Sequence, residues 1–146
     1  MYNKALFILI FFTLIGSFST KAKDVDWRVL QGYEVIEKDG KPFPKISKEL
    51  KIALAKKVSI KGFMIPLDYH SKHVEQFLLV PYIPACVHVP SPPANQVVLV
   101  KMKKGEKTKP SYFPIKVSGT LFVGTKKGFV DSSFRMVATK VEEIKF

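Results

Sequence analysis

The stretches VSIKGFM at residues 58–64 and IKVSGTLFVG at residues 115–124 decide the fold. In the first, Val58, Ile60, Gly62 and Met64 take every second position, with Ser59 and Lys61 between them. Successive side chains of a strand point to opposite faces, so this alternation describes a strand with one face buried. In the second, Ile115, Val117 and Gly119 alternate with Lys116 and Ser118 before Thr120, Leu121, Phe122 and Val123. Both stretches carry a glycine where a side chain would normally pack. Glycine inside a strand tolerates the sharp coil or bulge that closes a small sheet on itself.

Three further segments have β texture: the continuous apolar run at 77–82, the valine-rich 96–102, and 134–144. With 58–64 and 113–124 they give five strands, with turns at Lys104-Gly105 and Lys127-Gly128. The expectation is a mainly β fold, a small five-stranded OB-like barrel, with an open antiparallel sandwich as the alternative. Ser47 is placed to cap a helix over 47–57, with Glu49 in its first turn, Lys56 and Lys57 in its last, and Leu50, Ala53 and Leu54 on one face. Ahead of it, 23–46 holds Trp27, the Asp39-Gly40 turn, Pro42 and Pro44. This stretch reads as an arm packed on the domain through Trp27, Val29, Leu30 and Tyr33.

A chain of 146 residues has room for one such domain, expected over 47–146. Its 47% hydrophobic and 25% charged residues are those of a globular protein rather than a disordered or collagen-like one. Part of the apolar content lies elsewhere. Lys4 precedes residues 5–15, in which only Thr13 is polar, and Gly16, Ser17, Phe18, Ser19 and Thr20 follow. A positive start, a short apolar centre and small residues at the cut make a secretory signal over 1–19. The apolar run is well short of the roughly 20 residues a spanning helix needs, so cleavage is expected over a retained anchor, leaving no stable span. The cut falls after Ser19 or after Ala22, and the mature chain is expected in the periplasm or otherwise exported.

The formal charge is +12, from 24 basic and 12 acidic residues. Arg28 and Arg135 are the only arginines. Planar recognition of phosphate and base edges prefers arginine, so the lysine bias argues against a nucleic-acid reader. A diffuse lysine coat describes a solvated surface that also favours anionic envelope components.

Cys86 is the only cysteine, so no intramolecular disulfide can form. A lone thiol in an oxidising compartment calls for burial, metal ligation or an intermolecular bond. Cys86 and His88 stand two apart, and on an extended backbone both leave the same face. A thiolate beside an imidazole suits zinc or cuprous copper, and Pro84, Pro90, Pro92 and Pro93 would hold the pair with little freedom. Two donors do not complete a site, and the candidates for the rest are Asp68, His70 and His73. The competing reading makes Cys86 a small buried hydrophobe and His88 a hydrogen-bonded loop residue. A third makes Cys86 a thiol catalyst or redox group with His88 as base, although no clear orienting residue follows the histidine.

Four motifs carry a family resemblance: KGFMIPLD at 61–68, FLLVPYIPACVHVPSPPANQVV at 77–98, VSGTLFV at 117–123 and FRMVATKVE at 134–142. Together they resemble the exported bacterial family known as Domain of Unknown Function 3299, and DWRVL at 26–30 is similar to its tryptophan-containing opening. The resemblance spans roughly residues 26–144. Asp68 stands where the family usually has glutamate, Ser91 interrupts its proline run, and a tryptophan often found before the fourth-strand glycine is missing. What the resemblance implies is a periplasmic protein without an assigned activity, with some relatives encoded beside envelope transport components.

These readings give an exported, non-enzymatic accessory or binding protein of the cell envelope. Its partner is expected to be another envelope protein, such as a transport-system component. Val87, Val89, Pro90, Asn95 and Gln96 are the candidate docking residues, because a proline-fixed, partly apolar loop costs little entropy to immobilise. The alternative is a thiol-dependent enzyme or redox protein using Cys86.

Overall fold

The computed structural model describes residues 21–68, 70–83, 90–126 and 131–145. Along the chain come β1 (Lys23–Asp24), α1 (Trp27–Leu30), β2 (Tyr33–Lys38), β3 (Lys41–Ile46), α2 (Lys48–Ala53), β4 (Lys57–Pro66) and β5 (Gln76–Val80). A single 3-10 turn at Ala94–Gln96, β6 (Val98–Met102), β7 (Ile115–Lys126) and β8 (Ser132–Glu143) complete it. The expected signal segment lies outside the described residues.

Five strands close on themselves in the order β4-β5-β6-β8-β7, with β7 pairing back onto β4. Only β6 and β8 run parallel in this ring. Counted from its own first strand, the barrel runs first, second, third, fifth, fourth, which is the five-stranded Greek-key arrangement of an OB-like barrel. The sandwich alternative is thereby excluded.

Both interior glycines sit at the bends. β4 pairs with β7 as far as Gly62, opposite Ile115, and takes up β5 from Phe63, opposite Val80. Gly62 is therefore the residue at which the strand changes partner. At Gly119 the register between β7 and β8 shifts, and Thr139 is left without an opposite number. A side chain at Gly119 would run into the carbonyl of Val137 and the backbone of Ala138.

Alternation fills the barrel with one set of side chains. Val58, Ile60 and Met64 of β4 meet Phe77 and Leu79 of β5, Val98 and Val100 of β6, Ile115, Val117 and Leu121 of β7, and Phe134 and Met136 of β8. Burying each such side chain stabilises the fold by about 1.5–3 kcal/mol. Leu30, Tyr33 and Leu50 belong to the same cluster, so the N-terminal elements share the barrel's core.

The helix at Ser47 is shorter than the sequence pattern implies. Ser47 Oγ accepts from Leu50 N–H at 3.2 Å, as its cap chemistry requires. The helix nevertheless stops at Ala53: Leu54 is extended, and Ala55 has φ of 57°. Ala55 N–H instead donates to Leu121 O at 2.8 Å, and Lys57 already belongs to β4. A barrel contact thus overrides a lysine-rich continuation. There is also a second short helix, α1, capped by Asp26 accepting from Arg28 N–H at 2.9 Å.

The arm contains a hairpin that its prolines conceal. Asp39 (φ 53°) and Gly40 (φ 71°) form a two-residue turn between the paired Lys38 and Lys41. Lys38 and Lys41 are the hydrogen-bonded pair that closes such a turn, and bonded and non-bonded pairs alternate from there. Pro42 and Pro44, opposite Glu37 and Val35, consequently fall in non-bonded pairs. Their missing N–H groups face the outer edge, where no partner strand is lost.

Candidate functional site

The β5–β6 connection carries the residues singled out by sequence, and its two stems are fixed. After Val80, Tyr82 O–H donates to Pro90 O at 3.3 Å, closing the neck across eight positions. Pro92 is buried while Pro90, Ser91 and Pro93 are exposed. Pro93 then precedes the Ala94–Gln96 turn, where Gln96 N–H donates to Pro93 O at 2.7 Å. Asn95 sends its side-chain amide inward, donating from Nδ2 to Tyr33 O at 3.1 Å. Tyr33 in turn is buried and meets Phe134 edge-on, with ring centroids 5.7 Å apart. The connection is thus tied to the N-terminal hairpin and, through Tyr33, to the barrel core.

Beside these stems the barrel's outer face is apolar. Leu78 and Val80 of β5 pair with Leu99 of β6 and with Ile65 and Phe63 of β4, on the side away from the core. Leu78, Val80 and Val97 are buried there, and Phe63, Ile65 and Leu99 are half-buried. Ile83, at the start of the connection, is 43% exposed.

Of the candidate residues, Pro90, Asn95 and Gln96 are placed as described. Cys86, Val87, His88 and Val89 lie outside the described residues. Asp68, His70 and His73 share the β4–β5 loop. Asp68 Oδ1 accepts from His70 N–H at 3.1 Å, and Ser71 Oγ donates to His73 O at 2.5 Å. Both histidines are exposed. No group of three His, Cys, Asp or Glu side chains able to hold a metal occurs among the described residues. The β4–β5 loop enters β5 at Gln76, whereas the β5–β6 connection leaves it after Val80. The stems of the two candidate donor segments therefore stand at opposite ends of a five-residue strand, about 17 Å long.

One polar cluster gave no motif in the sequence. Asp24 of β1 accepts hydrogen bonds from Lys116 Nζ at 2.6 Å and from Ser59 Oγ. Chiefly the Lys116 bond, then the Ser59 bond, hold the Asp24 carboxyl below its ordinary value. Lys116, Lys21, Lys57 and Lys140 line a shallow notch of about 350 Å³ on the outer faces of β4, β7 and β8. Three elements distant in sequence meet here, which is why only the fold reveals it.

A family model described as "Protein of unknown function (DUF3299)" matches residues 28–143. The crystal structure of a DUF3299 family protein from Pseudomonas aeruginosa PAO1 is similar at 28% identity, with a TM-score of 0.64. The similarity covers 86% of this chain and 98% of that one. No curated protein is significantly similar to the chain. With most of the barrel and its N-terminal elements inside the matched region, the chain belongs to the DUF3299 family of proteins of unknown function.

Proposed function

We propose that this protein is an exported, non-enzymatic accessory or binding protein of the cell envelope, docking another envelope protein at the β5–β6 end of its barrel. The observation that carries the reading is the fixed stem of that connection. The Tyr82–Pro90 bond, buried Pro92 and the Asn95–Tyr33 bond hold it, while Ile83, Pro90 and Ser91 stay exposed. A surface ordered before binding loses little conformational freedom on docking. Barrels of this kind are filled inside and bind through their loops and outer faces, an analogy at the level of fold.

The signal-like leader supports export, and a transport-system component is the partner class that the family resemblance suggests. Metal handling is the narrower version of the reading. Cys86 and His88 would supply two donors to zinc or copper, and the opposite placement of the Asp68, His70 and His73 loop favours a site completed by the partner.

Site-specific photo-crosslinking in cells expressing the full chain tests the reading. The protein is expected in the periplasmic fraction, with one defined adduct from probes at Ile83 and Ser91 and none from a probe at the exposed Lys48 of α2. Cytoplasmic retention, or adducts equally from Lys48, refutes it. Rapid metal-independent alkylation of Cys86 at mildly acidic pH, lost with His88→Ala, would replace it with the thiol-enzyme alternative.

A further inference from the structure

The β6–β7 connection, residues 103–114, ends in an aromatic pair that the fold leaves uncovered. Tyr112 is 89% exposed and Phe113 65%, the highest values among the large hydrophobic side chains described. The pair is not loose. Ser111 is buried, and its Oγ accepts from Phe113 N–H at 3.1 Å and donates to Phe113 O at 3.3 Å. Pro110 and Pro114 flank the tip, and Pro114 O accepts from Ile144 N–H at 2.8 Å. Lower in the connection, Val74 and Thr108 exchange backbone hydrogen bonds of 2.8 and 3.0 Å. Gly105, at φ of 85°, makes the tight turn closed by Glu106 N–H on Lys103 O.

The same connection carries Lys103, Lys104, Lys107 and Lys109, all exposed, against Glu106 alone. Lys107 is paired with Glu75 at 2.8 Å. Lys103, Lys104 and Lys109 form no ion pair among the described residues. An exposed aromatic tip in a lysine-rich connection offers a partner protein no groove to fill. A lipid interface needs none: amphipathic and aromatic rings settle at the headgroup level, and nearby lysines meet anionic headgroups.

We propose that the 103–114 connection docks this protein peripherally on an anionic phospholipid surface. Tyr112 and Phe113 enter the headgroup boundary, and Lys103, Lys104 and Lys109 face the lipid phosphates. The β5–β6 connection enters β6 at Val98 and this connection leaves it after Met102, at the other end of that strand, and neither proposal depends on the other.

Flotation with vesicles decides it, using the protein recovered from cells expressing the full chain. Vesicles of phosphatidylcholine containing phosphatidylglycerol are expected to retain the protein, and those of phosphatidylcholine alone are not. Tyr112→Ala with Phe113→Ala should weaken retention at least about tenfold, and each of Lys103→Gln, Lys104→Gln and Lys109→Gln by up to about fivefold. The exposed Phe43→Ala with Lys38→Gln, in the hairpin, should leave it unchanged. Circular dichroism verifies that every variant is folded. Four results overturn the proposal: no retention on either vesicle, equal retention on both, indifference to the aromatic pair, or equal loss in the hairpin variant. Retention on both vesicles without loop dependence is what an uncleaved apolar leader would produce, whereas an acidic protein partner would give no retention at all.

Discussion

The indole of Trp27 lies against Gly62, in space that a side chain at position 62 would need. A Cβ built on Gly62 would stand 3.0 Å from Trp27 Cζ2 and 2.5 Å from the carbonyl oxygen of Val80. Trp27 Nε1 meanwhile donates to Lys61 O at 2.7 Å. One aromatic residue of α1 thus caps the bend at which β4 passes from β7 to β5.

Gly62→Ala should destabilise the fold by about 2–3 kcal/mol, the upper part of the range for an overpacked core. The closer obstacle is backbone, which cannot rotate aside as a side chain can. Shortening the indole with Trp27→Leu should therefore not rescue Gly62→Ala, and should itself cost about 1 kcal/mol or more through the lost hydrogen bond and packing. Chemical denaturation of both single variants and the double variant measures this. Full rescue in the double variant would show the indole, not Val80, to be the constraint.

How far the sequence discloses this architecture depends on the range of each interaction. Gly62 and Gly119, read as bends from their place in alternating strands, lie at the partner change and at the bulge. Ser47 caps its helix and Asp39-Gly40 turns its hairpin, because those signals act within three or four residues. The end of α2 was not legible, since the Ala55–Leu121 bond that diverts the chain spans 66 positions. The hairpin was obscured because proline weakens a strand signal whether or not its nitrogen faces a partner, and only the register settles that. At the candidate site, the Asn95–Tyr33 and Asp24–Lys116 contacts join segments whose proximity no local pattern announces.

Asn95→Ala removes the amide that ties the β5–β6 connection to β2. A net loss of about 1 kcal/mol is expected, the ordinary contribution of one such hydrogen bond. The more informative readout is local. Amide hydrogen exchange should accelerate in the Ala94–Gln96 turn and near Tyr33, while β7 and β8 keep their protection. Uniform acceleration across the barrel would show that Asn95 supports the whole fold rather than the stem.

Acid should uncouple Asp24 from Lys116. The folded carboxyl is held below its ordinary value of 3.8, so its contribution is complete above that value and disappears as pH falls through the folded one. Asp24 is 64% exposed and Lys116 28%. Solvent screening therefore limits the contribution to about 0.5 kcal/mol. Asp24→Asn should lower the thermal midpoint at neutral pH by about 2 °C, and the gap from the unsubstituted protein should close as the pH falls below 3.8. A gap constant over that range would mean that the asparagine perturbs packing instead of removing a charge interaction.

Pro42 and Pro44 should protect the hairpin from adding a further strand. Their nitrogens face the free edge of β3, and this ribbon carries exposed apolar side chains: Val35 at 59%, Phe43 at 53% and Ile36 at 39%. Exposed apolar edges recruit other chains unless a donor is missing or a charge intrudes. Replacing both prolines with threonine restores two outward N–H groups at positions that favour strand geometry. Because neither proline occupies a hydrogen-bonded pair, the intramolecular ladder should be unaffected. The stability measured at low concentration should change by less than about 1 kcal/mol. At higher concentration, light scattering should reveal association beyond that of the unsubstituted protein, and Phe43→Lys should suppress it in the same background. A variant that stays monomeric at every concentration would show that the prolines set the hairpin's shape and do not guard its edge.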